Sequence, residues 1–219
     1  MNIAINGDCM EVMRQYPDKY FDLAVVDPPY GDLPKGGYMN GTGGGLAKQV
    51  KYHDAIWSQS KPGKEYFDEL FRVSKNQIIW GANYFIPELD KPSPCWLVWD
   101  KCHPEGVNYA DCEMAWTSFN RAARLFKYRW NGFVQQNMKN REIRIHPTQK
   151  PADLYRWIYR LFTEPGFKVL DTHLGSGTSR RAAYDFGLDF VGCEKDKTYF
   201  DLQERAYEEY TAQIRMEGI

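Results

Sequence analysis

The segment that most constrains the fold runs from Phe167 to Asp196, FKVLDTHLGSGTSRRAAYDFGLDFVGCEKD. A short apolar run ends at Asp171, and a turn that contains Gly175 and Gly177 follows it. After a stretch long enough for one helix, a second apolar run ends at Glu194. Short apolar runs of this kind are typical of buried parallel strands joined by a crossover helix. The segment therefore predicts a strand–helix–strand unit.

The same alternation of short apolar runs and longer periodic segments recurs along the chain. Runs that predict strands occupy Leu23–Val26, Gln77–Trp80, Trp96–Trp99, Val169–Leu170 and Phe190–Cys193. In PADLYRWIYRLF, residues 151–162, the apolar residues recur with the period of a helix, which Glu164-Pro165-Gly166 ends. Further helices are predicted over Tyr66–Val73 and from Tyr199 to about Met216. The alternation indicates an α/β fold.

Length and composition set the broad class of the protein. A chain of 219 residues suits a single domain, 1–219. The first residues, MNIAINGDCMEVM, lack the features of a secretion signal, and no apolar run reaches 18 residues, so we expect a cytoplasmic protein with no membrane partner. The five cysteines are scattered without a CxxC pair, which predicts free thiols and argues against a zinc site.

The charged residues are unevenly distributed, although the net charge of the whole chain is only −1. Residues 119–145, which we call the basic segment, carry seven Lys or Arg and one acid, a net charge of +6. The basic residues are Arg121, Arg124, Lys127, Arg129, Lys139, Arg141 and Arg144, with Phe126, Tyr128, Trp130 and Phe133 between them. This composition is typical of a surface that contacts nucleic-acid phosphates and stacks on bases. The alternative is a solvated face.

The stretch VVDPPYG, residues 25–31, ends another predicted strand with an acid, two prolines and a ring. Proline cannot donate to a β ladder, so Asp27 and Tyr30 are expected at the carboxyl end of the strand. Ligands bind at that edge of open α/β sheets, although Asp and Pro are also common in ordinary turns. Seven of the fifteen residues 31–45 are glycine, and we expect a mobile loop region over residues 31–63.

The glycine turn and the acid at the next strand end predict a nucleotide site. Glycines let the backbone approach a ligand, and Glu194 can accept hydrogen bonds from both ribose hydroxyls. A dinucleotide fingerprint would have a third glycine where Arg180 stands, and the Gly-Lys-Ser/Thr of a P-loop is absent. The sequence therefore favours an adenosine without a pyrophosphate, which indicates S-adenosylmethionine.

Together, Asp27-Pro28-Pro29-Tyr30 and Asp171-x-x-x-Gly175-Ser176-Gly177-Thr178 resemble the two motifs of DNA amino-methyltransferases, and their order resembles the β group of that family. Asn6-Gly7-Asp8-Cys9 resembles its adenine-binding segment. His146-Pro147-Thr148-Gln149-Lys150-Pro151 resembles the segment before its cofactor-binding helix. The resemblance implies a Rossmann-like, seven-stranded, mostly parallel sheet flanked by helices. It also implies double-stranded DNA as partner, in a bacterial or phage-infected cell.

The resemblance also assigns roles to residues. Asp27, Pro28, Pro29 and Tyr30 would be catalytic: the Asp27 carboxylate and the Pro28 carbonyl would hold the target amine, and Tyr30 would stack on the flipped base. The implied cofactor-binding residues are Asp8, Cys9, Asp27, His146, Thr148, Lys150, Asp171, His173, Gly175, Ser176, Gly177, Thr178 and Glu194. No metal is required, and the product would be S-adenosylhomocysteine.

The chain departs from the family pattern at two places. His173 stands where the family usually has Phe, so it either covers the cofactor or is a surface-loop histidine. The basic segment is short for a target-recognition region, which indicates a short recognition sequence or help from a second subunit in a homodimer.

Several activities stay open at this point. Adenine N6 is favoured as the target because cytosine-N4 enzymes more often carry Ser at the position of Asp27. The alternatives are a cytosine-N4 enzyme, an RNA or protein-glutamine methyltransferase, and a catalytically idle DNA-binding or cofactor-sensing module. A dehydrogenase is disfavoured because the third glycine is missing.

Overall fold

The structure is a computed structural model, and it describes residues 1–31, 61–89, 91–106, 110–131 and 134–217. Most of the loop region expected to be mobile, and Phe133 of the basic segment, lie outside the described residues. All five cysteines, Cys9, Cys95, Cys102, Cys112 and Cys193, are free thiols, as expected. In the described parts of the chain, no helix has the length and apolar character needed to cross a membrane.

Helices and strands alternate along the described chain. The strands are β1 Asn2–Asn6, β2 Phe21–Val26, β3 Ser74–Trp80, β4 Leu97–Asp100, β5 Cys112–Thr117, β6 Arg124–Lys127, β7 Trp130–Asn131, β8 Val134–Gln135, β9 Lys168–Asp171 and β10 Asp189–Glu194. The helices are α1 Cys9–Met13, α2 Lys64–Val73, α3 Ile86–Leu89, α4 Ala152–Phe162, α5 Thr178–Asp185 and α6 Lys197–Glu217, with a 3-10 turn over Ala82–Tyr84.

Eight of these strands form one sheet, in the order β1-β10-β9-β2-β3-β5-β4-β6, and β7 pairs with β8 separately. Within the eight-stranded sheet, five neighbouring pairs are parallel, and the pairs of β5 with β3 and β4 are antiparallel. The mostly parallel, helix-flanked fold is confirmed. The described sheet has eight strands where seven were expected.

Burial on both faces explains why residues 23–26 of the central strand β2, LAVV, are continuously apolar. Leu23 and Val25 point into one core, which α4 and α5 cover, whereas Ala24 and Val26 point into a second core under α1 and α2. A parallel strand buried on both faces has no polar side to show in its sequence. The helices on both faces follow from the same requirement.

The crossover connections that leave β2 and β9 lead to opposite sides of the sheet, and this reversal of strand order locates the ligand site. From β2 the chain crosses to β3 on one side, whereas from β9 it crosses to β10 on the other. In open α/β sheets the crevice beyond the carboxyl ends of two such strands is the usual ligand site. Asp27 directly follows β2 and Thr172 directly follows β9, so both lie at this crevice.

Arg180, which replaces the third glycine of a dinucleotide fingerprint, has a packing role. Its side chain is buried on α5 and donates from Nε to Asn2 Oδ1 of β1 at 2.8 Å. Its Nη1 donates to Glu204 Oε1 of α6 at 2.7 Å, and its guanidinium lies 3.8 Å from the centre of the Tyr207 ring. Arg180 therefore ties α5 to both α6 and the first strand.

Replacing Arg180 with Met should destabilise the fold. The change leaves Asn2 and Glu204 without a charged donor, and losing such hydrogen bonds costs about 2–3 kcal/mol. Lys197→Ala removes exposed contacts, an i,i+4 ion pair with Asp201 and a cation–π contact with Phe200, and serves as the control. Urea denaturation of both variants measures the effect. Equal midpoints for Arg180→Met and the parent would contradict the packing role.

Candidate active site

A cavity of about 890 Å³ lies at the crevice between β2 and β9. Its walls come from the turns after β1, β2, β9 and β10, the start of α2, and residues 146–150. Eleven of the thirteen predicted cofactor residues line it: Asp8, Cys9, Asp27, His146, Thr148, Lys150, His173, Gly175, Ser176, Thr178 and Glu194. Four sequence segments that are far apart along the chain therefore meet in one cavity.

Asp27 is held between a hydroxyl and an ammonium. Its Oδ1 accepts a hydrogen bond from the Tyr30 hydroxyl at 2.6 Å, and its Oδ2 accepts one from Lys150 Nζ. Pro29, two residues further on, also lines the cavity, whereas Pro28 and Tyr30 are not part of its wall. The carboxylate of Asp27 therefore lies at the boundary between the cavity and the aromatic residues beyond it.

Tyr30 packs outside the cavity against the turn that follows β3. Its ring stacks on Tyr84, with centroids 4.9 Å apart and an interplanar angle of 16°. Gly81 has φ +65, and a Cβ there would come within 2.0 Å of the Tyr30 ring. Only glycine suits both that backbone conformation and that contact. Tyr84 is 43% exposed, so the stack lies at the protein surface.

The acidic end of the cavity is formed by Glu194 and Asp8. Glu194 accepts hydrogen bonds from the backbone N–H groups of Gly175 and Asp196, both at 2.8 Å. Burial raises the pKa of the Glu194 carboxyl, although these backbone donors oppose the rise. Asp8 caps α1 by accepting from Met10 N and pairs with Lys195 at 3.0 Å.

Two predicted cofactor residues, Asp171 and Gly177, do not line the cavity. The buried carboxylate of Asp171 accepts from the backbone N–H of His173 and from the Ser179 hydroxyl, so it holds the glycine turn from behind. Burial raises its pKa to about 7, against these two hydrogen bonds. Gly177 starts α5 with φ +68, and a Cβ there would lie 2.9 Å from Gln203 Oε1. Both residues shape the turn and leave the cavity wall to Gly175 and Ser176.

Both histidines of the cavity wall are neutral at physiological pH. Burial lowers the pKa of His146 to about 4, with the charge of Lys150 adding to the effect, and burial lowers the pKa of His173 to about 4. His146 packs edge-on against Tyr199, with ring centroids 4.3 Å apart. His173 packs edge-on against Tyr66, with ring centroids 5.5 Å apart. These contacts place His173 in the cavity wall, against the surface-loop alternative.

The charge of the cavity does not suit a pyrophosphate. Five acids line it, namely Asp8, Asp27, Glu65, Glu194 and Asp196, against the two lysines Lys150 and Lys195. Such a surface suits ribose hydroxyls and a cation. Within the described ranges, no group of three or more His, Cys, Asp and Glu residues could hold a metal ion.

Sequence reasoning missed several residues of the site. Tyr66 belongs to the apolar stripe of α2, yet it lines the cavity and its hydroxyl contacts Thr172 Oγ1 at 2.6 Å. Tyr155 of α4 likewise reaches the cavity wall. Glu113 lies on β5, a strand that was not predicted, and its Oε2 is 3.0 Å from Lys150 Nζ. The apolar periodicity that found the helices gave no sign of these contacts.

The structure divides the basic segment between the two ends of the strands, the carboxyl end that carries Asp27 and the amino end opposite it. Strand β6 runs parallel to β4 and in the direction of β2, so Lys127, at its carboxyl end, lies on the same edge as Asp27. Arg124 starts β6 at the opposite edge. Arg121 donates to the carbonyl oxygen of Leu161 at the end of α4, the end remote from Lys150. The segment therefore does not form one continuous basic face.

Three aromatic residues of the basic segment, Phe126, Tyr128 and Trp130, face the protein interior. Tyr128 and Trp130 are 9% and 6% exposed, and Phe126 stacks on Tyr128 with centroids 5.6 Å apart and also contacts Trp157. The prediction that Tyr128 and Trp130 stack on bases is wrong, because their rings are buried in the core over α4. The alternation of rings and charges arises from side chains that point alternately in and out.

A closed turn follows β8 and carries two of the basic residues. The Gln135 side-chain amide donates to Glu142 O and accepts from Glu142 N, at 2.9 and 2.8 Å, which joins the two ends of the turn. Glu142 Oε1 in turn accepts from Ala152 N, the first residue of α4. Lys139 and Arg141 are exposed on this turn. The turn is thereby anchored beside the start of α4, and α4 begins two residues after Lys150.

Comparison with known proteins identifies relatives of this chain and solved structures with a similar fold. Type II methyltransferase M.HinfI from Haemophilus influenzae is 24% identical over 251 residues, covering 95% of this chain and 69% of that protein. The solved M1.HpyAVI–SAM complex has a TM-score of 0.59 at 22% identity, covering 94% of this chain and 100% of that one. The cytosine-N4-specific PvuII DNA methyltransferase has a TM-score of 0.62 at 14% identity, covering 97% and 91%. The two solved structures show the same fold.

A family model described as DNA methylase matches residues 87–205, more than half of the chain. That range contains the glycine turn, Lys150 and Glu194, which meet in the cavity. The chain belongs to the DNA methylase family.

Proposed function

We propose that this DNA methylase uses S-adenosylmethionine to methylate the exocyclic N6 amine of an adenine flipped out of double-stranded DNA. The observation that carries the proposal is the position of Asp27. Its carboxylate lies in the wall of the same cavity as Asp8, Gly175 and Glu194, so one cavity offers an acceptor for an amine and a site for an adenosine.

The residues of the cavity fit the cofactor. Glu194 lies beside the backbone of Gly175, as a ribose acceptor next to a glycine turn would. The excess of carboxylates over lysines opposes a pyrophosphate and favours the positive sulfonium. M1.HpyAVI, which shares the fold, was solved as a SAM complex. When bound, S-adenosylmethionine supplies an electrophilic methyl group on a good leaving group and departs as S-adenosylhomocysteine.

Asp27 would orient the target amine. The lone pair of an exocyclic amine is delocalised into the base, so the amine is a poor nucleophile. A hydrogen bond from its N–H to Asp27 Oδ1, with a second to the Pro28 carbonyl, favours a pyramidal nitrogen whose lone pair points at the methyl group. Proline fixes φ and hence the direction of the carbonyl. Positioning and electrostatics then supply most of the catalysis.

Tyr30 would change partners when the base arrives. In the structure its hydroxyl occupies Asp27 Oδ1 and its ring stacks on Tyr84. A flipped base that offers an N–H to Oδ1 replaces this hydroxyl, while the ring of Tyr30 remains as an aromatic surface for the base. The cost of unstacking the base from the duplex is offset in part by that contact.

Adenine is the proposed target because a carboxylate, Asp27, stands where cytosine-N4 enzymes more often carry serine. The likeness to PvuII DNA methyltransferase concerns the fold and does not bear on the base. Cytosine N4 is the competing target. An idle binding module is disfavoured because Asp27, Pro29 and Lys150 are all assembled at the cavity.

The proposed DNA-contact residues are Lys127 and Arg129 at the carboxyl end of β6, and Lys139 and Arg141 on the anchored turn. Arg144, two residues past the turn with its guanidinium 4.5 Å from the centre of the Trp130 ring, is the fifth. We leave out Arg121 and Arg124, because Arg124 begins β6 and Arg121 contacts the far end of α4. A DNA duplex bound at the end of the sheet that carries Asp27 would pass close to the proposed DNA-contact residues.

Glu194→Gln should weaken binding of S-adenosylmethionine by about tenfold or more, because a charged hydrogen-bond acceptor contributes about 1.5–3 kcal/mol. Titration calorimetry with the cofactor measures this change, and Glu204→Gln on α6, away from the cavity, is the control. An unchanged affinity would remove Glu194 from the site. Tighter binding of a nicotinamide dinucleotide would overturn the cofactor assignment.

Asp27→Ala should lower the rate of methyl transfer about a hundred- to thousandfold while sparing cofactor affinity, because the variant lacks one well-placed electrostatic interaction with the amine. Asp27→Asn keeps the shape and should retain partial activity, whereas Tyr30→Ala should chiefly weaken capture of the base. Transfer of a labelled methyl group to duplex DNA, measured beside cofactor affinity, tests the series. Methylation at the parent rate by Asp27→Ala would leave that residue as a turn residue and refute the mechanism.

The triple change Arg129→Ala, Lys139→Ala and Arg141→Ala should weaken DNA binding for all sequences. It should also reduce the log–log salt slope by about one for each DNA phosphate that the variant no longer neutralises. Arg121→Ala with Arg124→Ala, on the other edge, is the matched control and should leave the slope unchanged. If the two sets have the same effect, the division of the basic segment has no bearing on DNA binding.

A further inference from the structure

Four charged side chains of alternating sign form a line that ends at Asp27. Lys150 Nζ contacts Asp27 Oδ2 and lies 3.0 Å from Glu113 Oε2. Glu113 Oε1 in turn lies 2.7 Å from Lys101 Nζ. These residues come from the turn after β2, from β5, from the turn after β4 and from the segment before α4. Distant parts of the chain therefore supply one neutral row of charges.

Lys150 is the buried member of this row, and the Glu113 side chain is 24% exposed. The Lys150 side chain is 4% exposed, and its ammonium lies 5.7 Å from the centre of the buried Trp80 ring. Burial opposes the charge of Lys150, yet the two carboxylates raise its pKa above the ordinary lysine value. Burial would raise the pKa of Glu113, but Lys150 and Lys101 together hold that pKa below its ordinary value. Both groups are ionised across the physiological range.

A buried ion pair is costly, and apolar residues of similar size often pack as stably. Stability alone is therefore a weak reason for Lys150 and Glu113. The geometry offers another reason. Lys150 engages Asp27 on Oδ2, the oxygen opposite the one that Tyr30 contacts, and so fixes the rotation of the carboxylate about its side chain.

We propose that Lys150, held in place by Glu113, is a positioning residue that keeps Asp27 Oδ1 turned toward the target amine. The inference rests on the proposed function and deepens it. It also changes the role of Lys150, which the sequence motif assigns to cofactor binding. Asp27 touches the substrate, Lys150 acts through Asp27, and Glu113 acts through Lys150.

This arrangement explains why a second carboxylate stands behind the lysine. With Asp27 as its single partner, the ammonium could follow that side chain into the cavity. Glu113, on β5 and paired with Lys101 on its other side, gives Lys150 a second contact. The row of charges therefore sets both the position and the orientation of the acceptor.

Four variants test the proposal: Lys150→Met, Lys150→Arg, Glu113→Gln, and the double variant of Lys150→Met with Glu113→Gln. Arg156→Met is the matched control, because it removes ion pairs with Asp153 and Asp185 on α4 and α5, and neither partner lines the cavity. Each protein is measured by titration calorimetry with S-adenosylmethionine. Each is also measured by single-turnover methyl transfer to duplex DNA at saturating cofactor, and by thermal unfolding.

We expect Lys150→Met to lower the single-turnover rate about a hundredfold and Glu113→Gln about tenfold, with cofactor affinity within about threefold of the parent. Lys150→Arg should recover part of the rate lost in Lys150→Met. Because Glu113 acts through Lys150, the double variant should be no slower than Lys150→Met. Arg156→Met should lower the unfolding temperature without changing the rate.

Two results would overturn the proposal. One is a tenfold loss of cofactor affinity in Lys150→Met with the parent rate at saturating cofactor, which makes Lys150 a cofactor ligand. The other is a parent rate in Glu113→Gln, which decides alone if Lys150→Met does not fold. A parent protein that transfers no methyl group to DNA refutes the proposed function itself, which separates that failure from a failure of the charge row.

Discussion

The parallel pairing of β2 with β9 is the constraint on which the site depends. Leu23 pairs with Val169 and Ala24 with Leu170, so the same register carried forward brings Asp27 level with His173. Residues almost 150 positions apart thereby meet at one edge of the sheet. The acceptor for an amine and the turn that shapes an adenosine site are neighbours because their strands are neighbours.

Buried charge is the second organising feature, and the structure treats it differently on the two sides of the cavity. Behind the glycine turn, burial raises the pKa of Asp171 to about 7, and hydrogen bonds from the turn hold the carboxyl. Beside Asp27, Lys150 and Lys101 lower the pKa of the Glu113 carboxyl. Asp171 therefore holds the backbone of the glycine turn, whereas the charged residues beside Asp27 hold its carboxylate at the cavity wall.

Much of the architecture could be predicted because apolar periodicity reports burial directly. The predicted strand at Leu23–Val26 and the helix that ends at Phe162 occur with shifts of one or two residues. Strand β6, RLFK, was not predicted, because Arg124 and Lys127 make this edge strand look like part of a charged surface. Strand β5 was missed because its first residues are only half buried.

The site was predictable where motifs carry local geometry and not where it depends on tertiary contacts. The glycine turn and the position of Asp27 could be predicted from the sequence because glycine and proline dictate backbone shape. Glu113 has no local signal, since its contact with Lys150 depends on the tertiary position of β5 between β3 and β4. The rings of Tyr128 and Trp130 led to a wrong prediction, because a sequence of alternating charges and rings does not reveal which side faces the core.

The most direct test of the account is the identity of the base that the protein modifies. DNA from a methylation-deficient bacterial host that expresses the chain would be digested to nucleosides and analysed by mass spectrometry, with the Asp27→Ala variant as control. We expect N6-methyladenine with the parent chain and none with the variant. N4-methylcytosine alone would contradict the assignment of adenine, and the absence of any methylated base would contradict the proposed activity.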